Sequence, residues 1–448
     1  MKVLIVGSGA REHALAEKIA ESPLVETLYG APGNPGMETV ELRSTGLQLE
    51  PVRISVSDIC GLRLFAWCVG VNLTVVGPEV PLALGIVDRF LEWGLPIVGP
   101  TMAAAKLEAS KVFAKRFMWE HGILMARGVI PPTFEIACAS IRDLFRHEQG
   151  PLFVKADGLA AGKGAFYCST EARAIEVAHS LMVEKVLGEA GQAVVIDRCL
   201  FGDEVSVHIL TNGTEWWWLP VAQDYKRLTD DPTSSMTGGM GTISHESLLS
   251  RACVEEVAHT IIEPTLKGMR ERGTPYRGVL YVGLMVVKGK PYVLEYNARF
   301  GDPEAQVILP RICDDIVPYL CRIADRPPGD ERALPFCGDV TLPPTTFLPH
   351  AHVSVVLASE GYPQAKSYSR YPIEGLDAAN ALEHIRVYHA GTIRGSDGRL
   401  FTFGGRVLGV DGEGDTLEEA RDRAYTAVEK IYWPGMLHRR DIGGRIYA

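Results

Sequence analysis

Leu294-Glu295-Tyr296-Asn297-Ala298-Arg299-Phe300-Gly301-Asp302-Pro303-Glu304 follows an apolar, strand-like run (Val279 to Val287) and a turn at Lys288-Gly289-Lys290-Pro291. Alternate side chains of an extended segment share a face. Glu295, Asn297 and Arg299 are therefore expected to point the same way. Two oxygen donors beside a guanidinium suit a magnesium–polyphosphate site. The oxygens hold a hard cation, and the arginine forks onto phosphate or acyl-phosphate oxygens. The competing reading is a polar strand face with a surface ion pair. A second phosphate-type element upstream weighs against it.

That element is Pro151-Leu152-Phe153-Val154-Lys155-Ala156-Asp157-Gly158-Leu159-Ala160-Ala161-Gly162-Lys163-Gly164-Ala165. A buried-looking strand delivers Lys155, and a glycine-rich loop follows. Backbone N–H groups exposed by the glycines, with Lys155 and Lys163, can cradle a polyphosphate. The G-x-x-x-x-G-K-[ST] order of a P-loop is absent. Alone, the stretch reads equally well as a glycine-rich hairpin; the downstream strand tips the balance.

The 448 residues suffice for about three packed domains. The composition is globular, 46% hydrophobic and 22% charged, with 46 glycines, an enrichment typical of loop-rich nucleotide-binding chains. A formal charge of −10, without a basic stripe or tail, argues against a nucleic-acid partner. No apolar run approaches a membrane span, and Met1 leads directly into a strand, so a cytoplasmic protein without signal or transit sequence is expected. The nine cysteines form no C-x-x-C pair and are expected to be reduced, core-filling thiols rather than a zinc site.

Up to about Pro100, strands (Val3–Val6, Thr27–Tyr29, Thr74–Val76, Ile97–Val98) alternate with helices (Glu12–Glu21, Leu62–Cys68, Leu82–Trp93). That order predicts a parallel sheet covered on both faces. Gly7-Ser8-Gly9-Ala10-Arg11-Glu12 lies between the first strand and helix. Two of its glycines match a dinucleotide fingerprint, but Glu12 stands in place of the third, and no acid is placed for a ribose after the second strand. NAD is thus disfavoured, while a phosphate on the helix N-terminus, with Arg11 as counter-charge, remains attractive. A helical stretch, Met102 to His121, carries Ser110-Lys111. After the Lys155 strand come a helix near Glu171–Lys185 and a strand, Ala193–Ile196, leading into Asp197-Arg198-Cys199-Leu200. Glu204, beyond that strand's end, is placed for ribose hydroxyls. The Pro-rich stretch Arg326 to Pro349 reads as a linker. Beyond it, strands His352–Ala358, Arg386–His389 and Arg406–Val410 and a helix Leu417–Ile431 suggest a small α+β unit.

In order along nearly the whole chain, these pieces resemble the glycinamide ribonucleotide synthetases (phosphoribosylamine–glycine ligases) of the ATP-grasp superfamily. The resemblance rests on Gly7-Ser8-Gly9-Ala10-Arg11-Glu12-His13-Ala14, Ala31-Pro32-Gly33-Asn34 and Val76-Gly77-Pro78-Glu79, then on Ser110-Lys111 and Lys155 to Gly164. It continues through Gln223-Asp224, Lys226-Arg227, Thr237-Gly238-Gly239-Met240-Gly241, His389-Ala390-Gly391-Thr392 and Gly404-Gly405-Arg406-Val407-Leu408. The run Asn297-Ala298-Arg299-Phe300-Gly301-Asp302-Pro303-Glu304 is its most specific part.

The resemblance implies an α/β and α+β multidomain chain. A Rossmann-like substrate domain would span 1–101, an ATP-grasp domain 102–325 with a lid at about 122–192, and a C-terminal domain 326–448. It implies ATP and Mg²⁺, with Mn²⁺ as a possible substitute, and two small substrates, an amino acid and a phosphorylated sugar amine. A monomer or weak homodimer is implied. Lys111, Lys155 and Lys226 would serve the nucleotide, and the loop holding Gly158, Gly162, Lys163 and Gly164 would close over its phosphates. Asp197 to Leu200 would hold adenine, Glu204 the ribose, and Glu295 and Asn297 the metal. Arg299 and Asp302, with Lys155, would be the catalytic groups, facing the acyl phosphate and the glycine amine. Gly9, Arg11, Glu12 and Glu79 would line the phosphoribosylamine site.

Departures cluster on the acceptor side. Where the family reads close to Asp-x-Asp-Thr-Gly-Pro-Asn, this chain has Asp230-Asp231-Pro232-Thr233-Ser234-Ser235-Met236. The usual Glu-Glu-Phe-Leu hinge is Asp197-Arg198-Cys199-Leu200, and Tyr225 replaces a histidine. Trp216-Trp217-Trp218 reads as core packing or as an aromatic wall beside a changed substrate pocket. Three readings stay open: a divergent purine-pathway synthetase, a paralogue joining a different amino acid or amine, and a non-catalytic ATP binder. The presence of Lys155, Glu295, Asn297 and Arg299 disfavours the last.

Overall fold

A computed structural model describes residues 1–147, 150–159, 164–231, 234–324 and 342–444. The first sheet is parallel and five-stranded, in the order Glu50–Pro51, Thr27–Pro32, Lys2–Gly7, Leu73–Val76, Ile97–Val98. Val3, Leu4, Ile5 and Val6 are fully buried because helices cover both faces of their strand. The strand order reverses between Lys2–Gly7 and Leu73–Val76, so a crevice opens at their carboxyl ends.

Two expected helices are each broken in two. Leu82–Trp93 becomes Glu79–Ala83 and Ile86–Glu92, parted at Gly85, whose φ of +83° no helix interior accepts. Met102–His121 becomes Lys106–Ala109 and Lys111–Glu120. Ser110 is extended between them, and its Oγ accepts the Phe113 N–H at 3.0 Å as an N-cap. That break sets Lys111 at the start of a helix.

Two antiparallel sheets follow. One orders Gly128–Val129, Val194–Arg198, Leu152–Ala156 and Ala165–Cys168, backed by helices Phe134–His147 and Glu171–Met182. The other orders Trp216–Trp218, Asp203–Thr211, Gly278–Val287 and Lys290–Asn297. In its last pair Gly283 faces Glu295 and Leu284 faces Val293, so Leu294 is an extra, bulged residue. Strand pairing ends at Asn297, opposite Tyr281.

The last large sheet mixes distant parts of the chain. Gln223–Asp224 and Gly241–Ser244 pair onto Ala351–Ala358, followed by Arg406–Gly414 and Ile385–His389. Helix Leu417–Val428 packs on it over Ile243, Val353, Val410 and Trp433. The C-terminal sheet is therefore completed by strands that flank the Lys226 segment. Most of the Pro-rich stretch lies outside the described residues.

None of the eight cysteines described is in a disulfide; Cys138, Cys168, Cys253 and Cys321 are buried, but Cys60, Cys68 and Cys313 are exposed. These three do not fill a core as expected. Among the described residues no helix is long and apolar enough to cross a membrane.

Candidate active site

The antiparallel sheets enclose a cleft lined by Lys111, Lys155, Lys226, Glu295, Asn297, Arg299 and Asp302, with Glu79 from the first unit. The bulge at Leu294 leaves Glu295 and Asn297 on one face, as the alternation predicts. Arg299 lies beyond the strand end yet shares their cavity, its Nη2 donating to Asn297 Oδ1 at 3.2 Å.

Lysines surround Glu295. Lys226 Nζ stands 3.1 Å from Glu295 Oε1 and 3.4 Å from Glu204 Oε1. The Lys226 charge, ahead of burial and aided by Lys111 and Lys155, holds the Glu295 carboxyl down at about 2. Burial works against the Lys226 ammonium, but Glu295, Glu204 and Asp224 outweigh it and keep it charged. Glu204 sits within two residues of its strand's start and, being desolvated, has its pKa raised.

Asp197 lines the cleft. Its carboxylate bonds Lys115 Nζ and lies 3.0 Å from Lys155 Nζ. Lys155 also donates to the Leu294 carbonyl at 3.3 Å, so one acid orients a lysine that faces the Glu295 strand. Gly158 and Leu159 line the cleft, whereas Leu200 and Glu204 are not among its lining residues. The Gly164 carbonyl accepts the Ala156 N–H at 2.7 Å, closing the base of the glycine loop. Gly162 and Lys163 lie outside the described residues.

A phosphate on the first helix, with Arg11 as counter-charge, is not what the geometry provides. Glu12 Oε2 accepts the Gly9 N–H at 2.6 Å, while Glu12 Oε1 binds Arg11 Nε at 2.6 Å. Both side chains are buried, and Arg11 Nη1 donates to the Phe300 carbonyl at 3.1 Å. Glu12 thus supplies the anion that a helix N-terminus favours. A Cβ at Gly7 or Gly77 would collide with it, which explains glycine at both positions. Gly9, Arg11 and Glu12 form the floor behind Asp302 rather than lining the cleft.

Glu79 and Arg299 join the first unit to the site, Arg299 Nε lying 3.3 Å from Glu79 Oε2. Burial raises the Glu79 carboxyl, but Arg299 and then Arg11 outweigh it and leave it lowered. Asp302 is lowered in the same way by Arg406 and Arg11 against its burial. Sequence reading gave no role to Glu108, Lys115, Asp224 or Arg406. Arg406 and Asp224 sat in quoted motifs, and Lys115 ends the run Phe113-Ala114-Lys115 that follows Ser110-Lys111 in the resemblance; Glu108 carried no chemical pattern of its own.

The tryptophan run does not border this cleft. Trp217 is buried edge-on against Tyr319 at 5.5 Å, and Trp216 and Trp218 line a separate groove with Arg311 and Phe347. No lining residue is common to the two cavities. Among the described residues the three tryptophans line that separate groove and not the cleft of Glu295 and Arg299.

A cleft between two antiparallel sheets in which lysines and an arginine face carboxylates, joined to a Rossmann-like unit, defines an ATP-grasp ligase. The fold recurs in the biotin carboxylase domain of Hydrogenobacter thermophilus 2-oxoglutarate carboxylase, solved with MgADP (TM-score 0.69, 18% identity, 98% of this chain and 91% of that one). Family models for phosphoribosylglycinamide synthetase match its N domain at residues 1–108, its ATP-grasp (A) domain at 109–305 and its C domain at 352–445. The chain belongs to the phosphoribosylglycinamide synthetase family. It is 43% identical to phosphoribosylamine–glycine ligase of Vibrio vulnificus (100% of this chain, 99% of the relative). Against the Chlorobaculum tepidum ligase the identity is 41% (99% and 100%). The crystal structure of the Thermotoga maritima phosphoribosylamine–glycine ligase superposes with a TM-score of 0.75 at 32% identity (98% and 100%).

Proposed function

We propose that this chain joins glycine to phosphoribosylamine, converting ATP to ADP and phosphate and giving glycinamide ribonucleotide, a step of purine biosynthesis. The observation that carries the reading is the meeting of Glu295, Asn297 and Arg299 with Lys111, Lys155 and Lys226 in one cleft. ATP phosphorylates the glycine carboxylate. The amine then attacks the acyl phosphate, and phosphate leaves as the amide forms. Such chemistry needs positioning and charge neutralisation rather than a protein nucleophile.

The donor set fits a hard divalent ion: an ionised carboxylate at Glu295 and an amide oxygen at Asn297. When bound there, Mg²⁺ would neutralise the nucleotide's phosphate charge. Lys111, Lys155 and Lys226 would bind the phosphate chain, the loop from Gly158 to Gly164 would shield it, and the Asp197–Leu200 backbone would face adenine. Glu204 would take the ribose. Arg299 and Asp302 would orient the activated carboxylate and the incoming amine. Glu79 and Gly9 would meet the ribosyl substrate, with Arg11 and Glu12 supporting that wall. The units 1–101, 102–325 with a lid near 122–192, and 326–448, working as a cytoplasmic monomer or weak homodimer, complete the proposal.

The test is ADP release with glycine and phosphoribosylamine, run beside a panel of other small amino acids. Turnover that requires both substrates supports the reading. ADP release faster with another amino acid or another amine overturns it.

A further inference from the structure

Glu108 belongs to no recognised motif, yet it holds the arginine of the site. Its side chain is 8% exposed. Oε1 accepts from Arg299 Nη2 at 2.8 Å, and Oε2 accepts the Ala298 backbone N–H at 2.7 Å. Strand pairing stops at Asn297, so Ala298 has lost its ladder partner. One carboxylate therefore replaces the missing strand and takes one arm of the guanidinium. Both are charge-assisted or backbone bonds made away from water, where such bonds are strongest.

The other arms of Arg299 are held less tightly. Nη1 donates to the Phe300 carbonyl at 3.1 Å, and Nε lies 3.3 Å from Glu79 Oε2. Glu79 is the more exposed acid, 25% against 8% for Glu108. Burial raises the Glu108 carboxyl, and the Arg299 charge opposes that rise. Glu108 sits on the short helix Lys106–Ala109, which Ser110 alone separates from the helix led by Lys111. The acid thus ties the arginine to the lysine end of the cleft.

We infer that Glu108 is a positioning residue for the ligation. It fixes the guanidinium against Asn297 and leaves the Nε edge, shared with Glu79, to exchange onto an anionic oxygen of the activated carboxylate. This rests on the activity proposed above.

E108Q tests it. The glutamine oxygen still accepts from Ala298, but its amide N–H groups face the guanidinium, donor against donor. The kcat for ADP release is expected to fall by about 100-fold, the scale of a roughly 1 Å misplacement, while KM for ATP stays within about two-fold. Because Glu108 acts through Arg299, the double variant E108Q/R299K is expected to be no slower than R299K alone. A crystal structure of E108Q is expected to show the Arg299 side chain turned away from Asn297. Wild-type kcat in E108Q, or losses that multiply in the double variant, overturns the inference. If E108Q does not fold, E108D, one methylene shorter with its charge kept, enters the same cycle under the same criteria. A wild-type chain inactive on glycine and phosphoribosylamine defeats the proposed activity; the position of Arg299 in the E108Q crystal then decides the role of Glu108.

Discussion

Arg406 Nη2 lies 3.0 Å from Asp302 Oδ2, and Arg406 Nη1 donates to the Asp302 carbonyl at 2.7 Å and to the Gly238 carbonyl at 2.6 Å. A strand of the C-terminal sheet therefore reaches behind the acid at the acceptor end of the cleft and pins the neighbouring glycine loop. R406M leaves Asp302 without the cation that holds its carboxyl down. The expected cost is about 2 kcal/mol of stability, the scale of a lost charged hydrogen bond. A drop in kcat/KM of about 100-fold is expected with it, since the acid loses its fixed position. Denaturant melts and steady-state kinetics measure both; unchanged kcat/KM would separate Arg406 from the reaction.

Glu295 is ionised far below neutrality, with its carboxyl at about 2. It is charged throughout the working range and cannot set the acid limb of a pH–rate profile between pH 5 and 8. E295A is expected to abolish turnover while the thermal midpoint stays close to wild type. Chelation by EDTA is expected to stop the wild-type reaction, and Mg²⁺ or Mn²⁺ to restore it. Full activity of E295A would remove the metal assignment.

Glu12 gives a prediction of a different kind. Its carboxylate closes the N-terminus of the first helix and neutralises Arg11, which is only 6% exposed. E12A leaves that guanidinium buried without its acid, at a cost of about 3 kcal/mol or more. An anion such as phosphate, taking the vacated site, is expected to restore part of the loss in a thermal-shift titration. Equal melting of E12A and wild type would mean that Glu12 does not hold the helix end.

The hairpin Gly278–Asn297 was legible because a continuous apolar run ends at the Lys288-Gly289-Lys290-Pro291 turn and the strand after it alternates polar Glu295 and Asn297 with apolar neighbours. The lysine strand was legible as a short apolar run that ends in a glycine-rich loop. Breaks at Gly85 and Ser110 were not, because local helical pattern continues through both while the tertiary path does not. Nor was Glu108. Its partners are 190 and 191 residues away, and an isolated acid on a short helix carries no periodic or motif signal. Glu12 was noticed as a missing glycine and, through the resemblance, as a wall of the phosphoribosylamine site, not as the acid that caps the helix. That its carboxylate replaces the phosphate became apparent when Gly7, Gly9 and Gly77 were seen to crowd around it.

His389 links the C-terminal sheet to the first unit. Its backbone N–H donates to His13 Nδ1 at 2.9 Å, and its ring nitrogen Nδ1 pairs with Thr392 Oγ1 at 3.0 Å. Burial, with Arg394 nearby, lowers its pKa from 6.5 to about 4. A folded pKa below the unfolded one means that the unfolded chain binds the extra proton between these values. Stability is thus retained above about pH 6.5 and lost as pH falls toward 4, by up to about 3 kcal/mol for a shift of this size. H389Q is expected to melt with a shallower pH dependence across that window, and an unchanged slope would refute the assignment.

The loop that departs from the family pattern makes the last prediction. Leu228 N–H donates to the Ser235 carbonyl at 2.9 Å, Arg227 Nη1 to the Ser234 carbonyl at 2.9 Å, and Gln364 Nε2 to Ser235 Oγ at 2.8 Å. Its described residues therefore lean on one another and on the C-terminal unit, and of positions 230–236 only Met236 lines the cleft among them. Replacing Asp230 to Met236 by the family's Asp-x-Asp-Thr-Gly-Pro-Asn pattern is expected to shift KM for glycine by no more than about three-fold, the effect of substitutions remote from the chemistry. The ranking of glycine against alanine and serine is expected to hold as well. A large gain in glycine use after the exchange would mean that the native loop is shaped for another amino acid, and the steady-state comparison of the two proteins decides it.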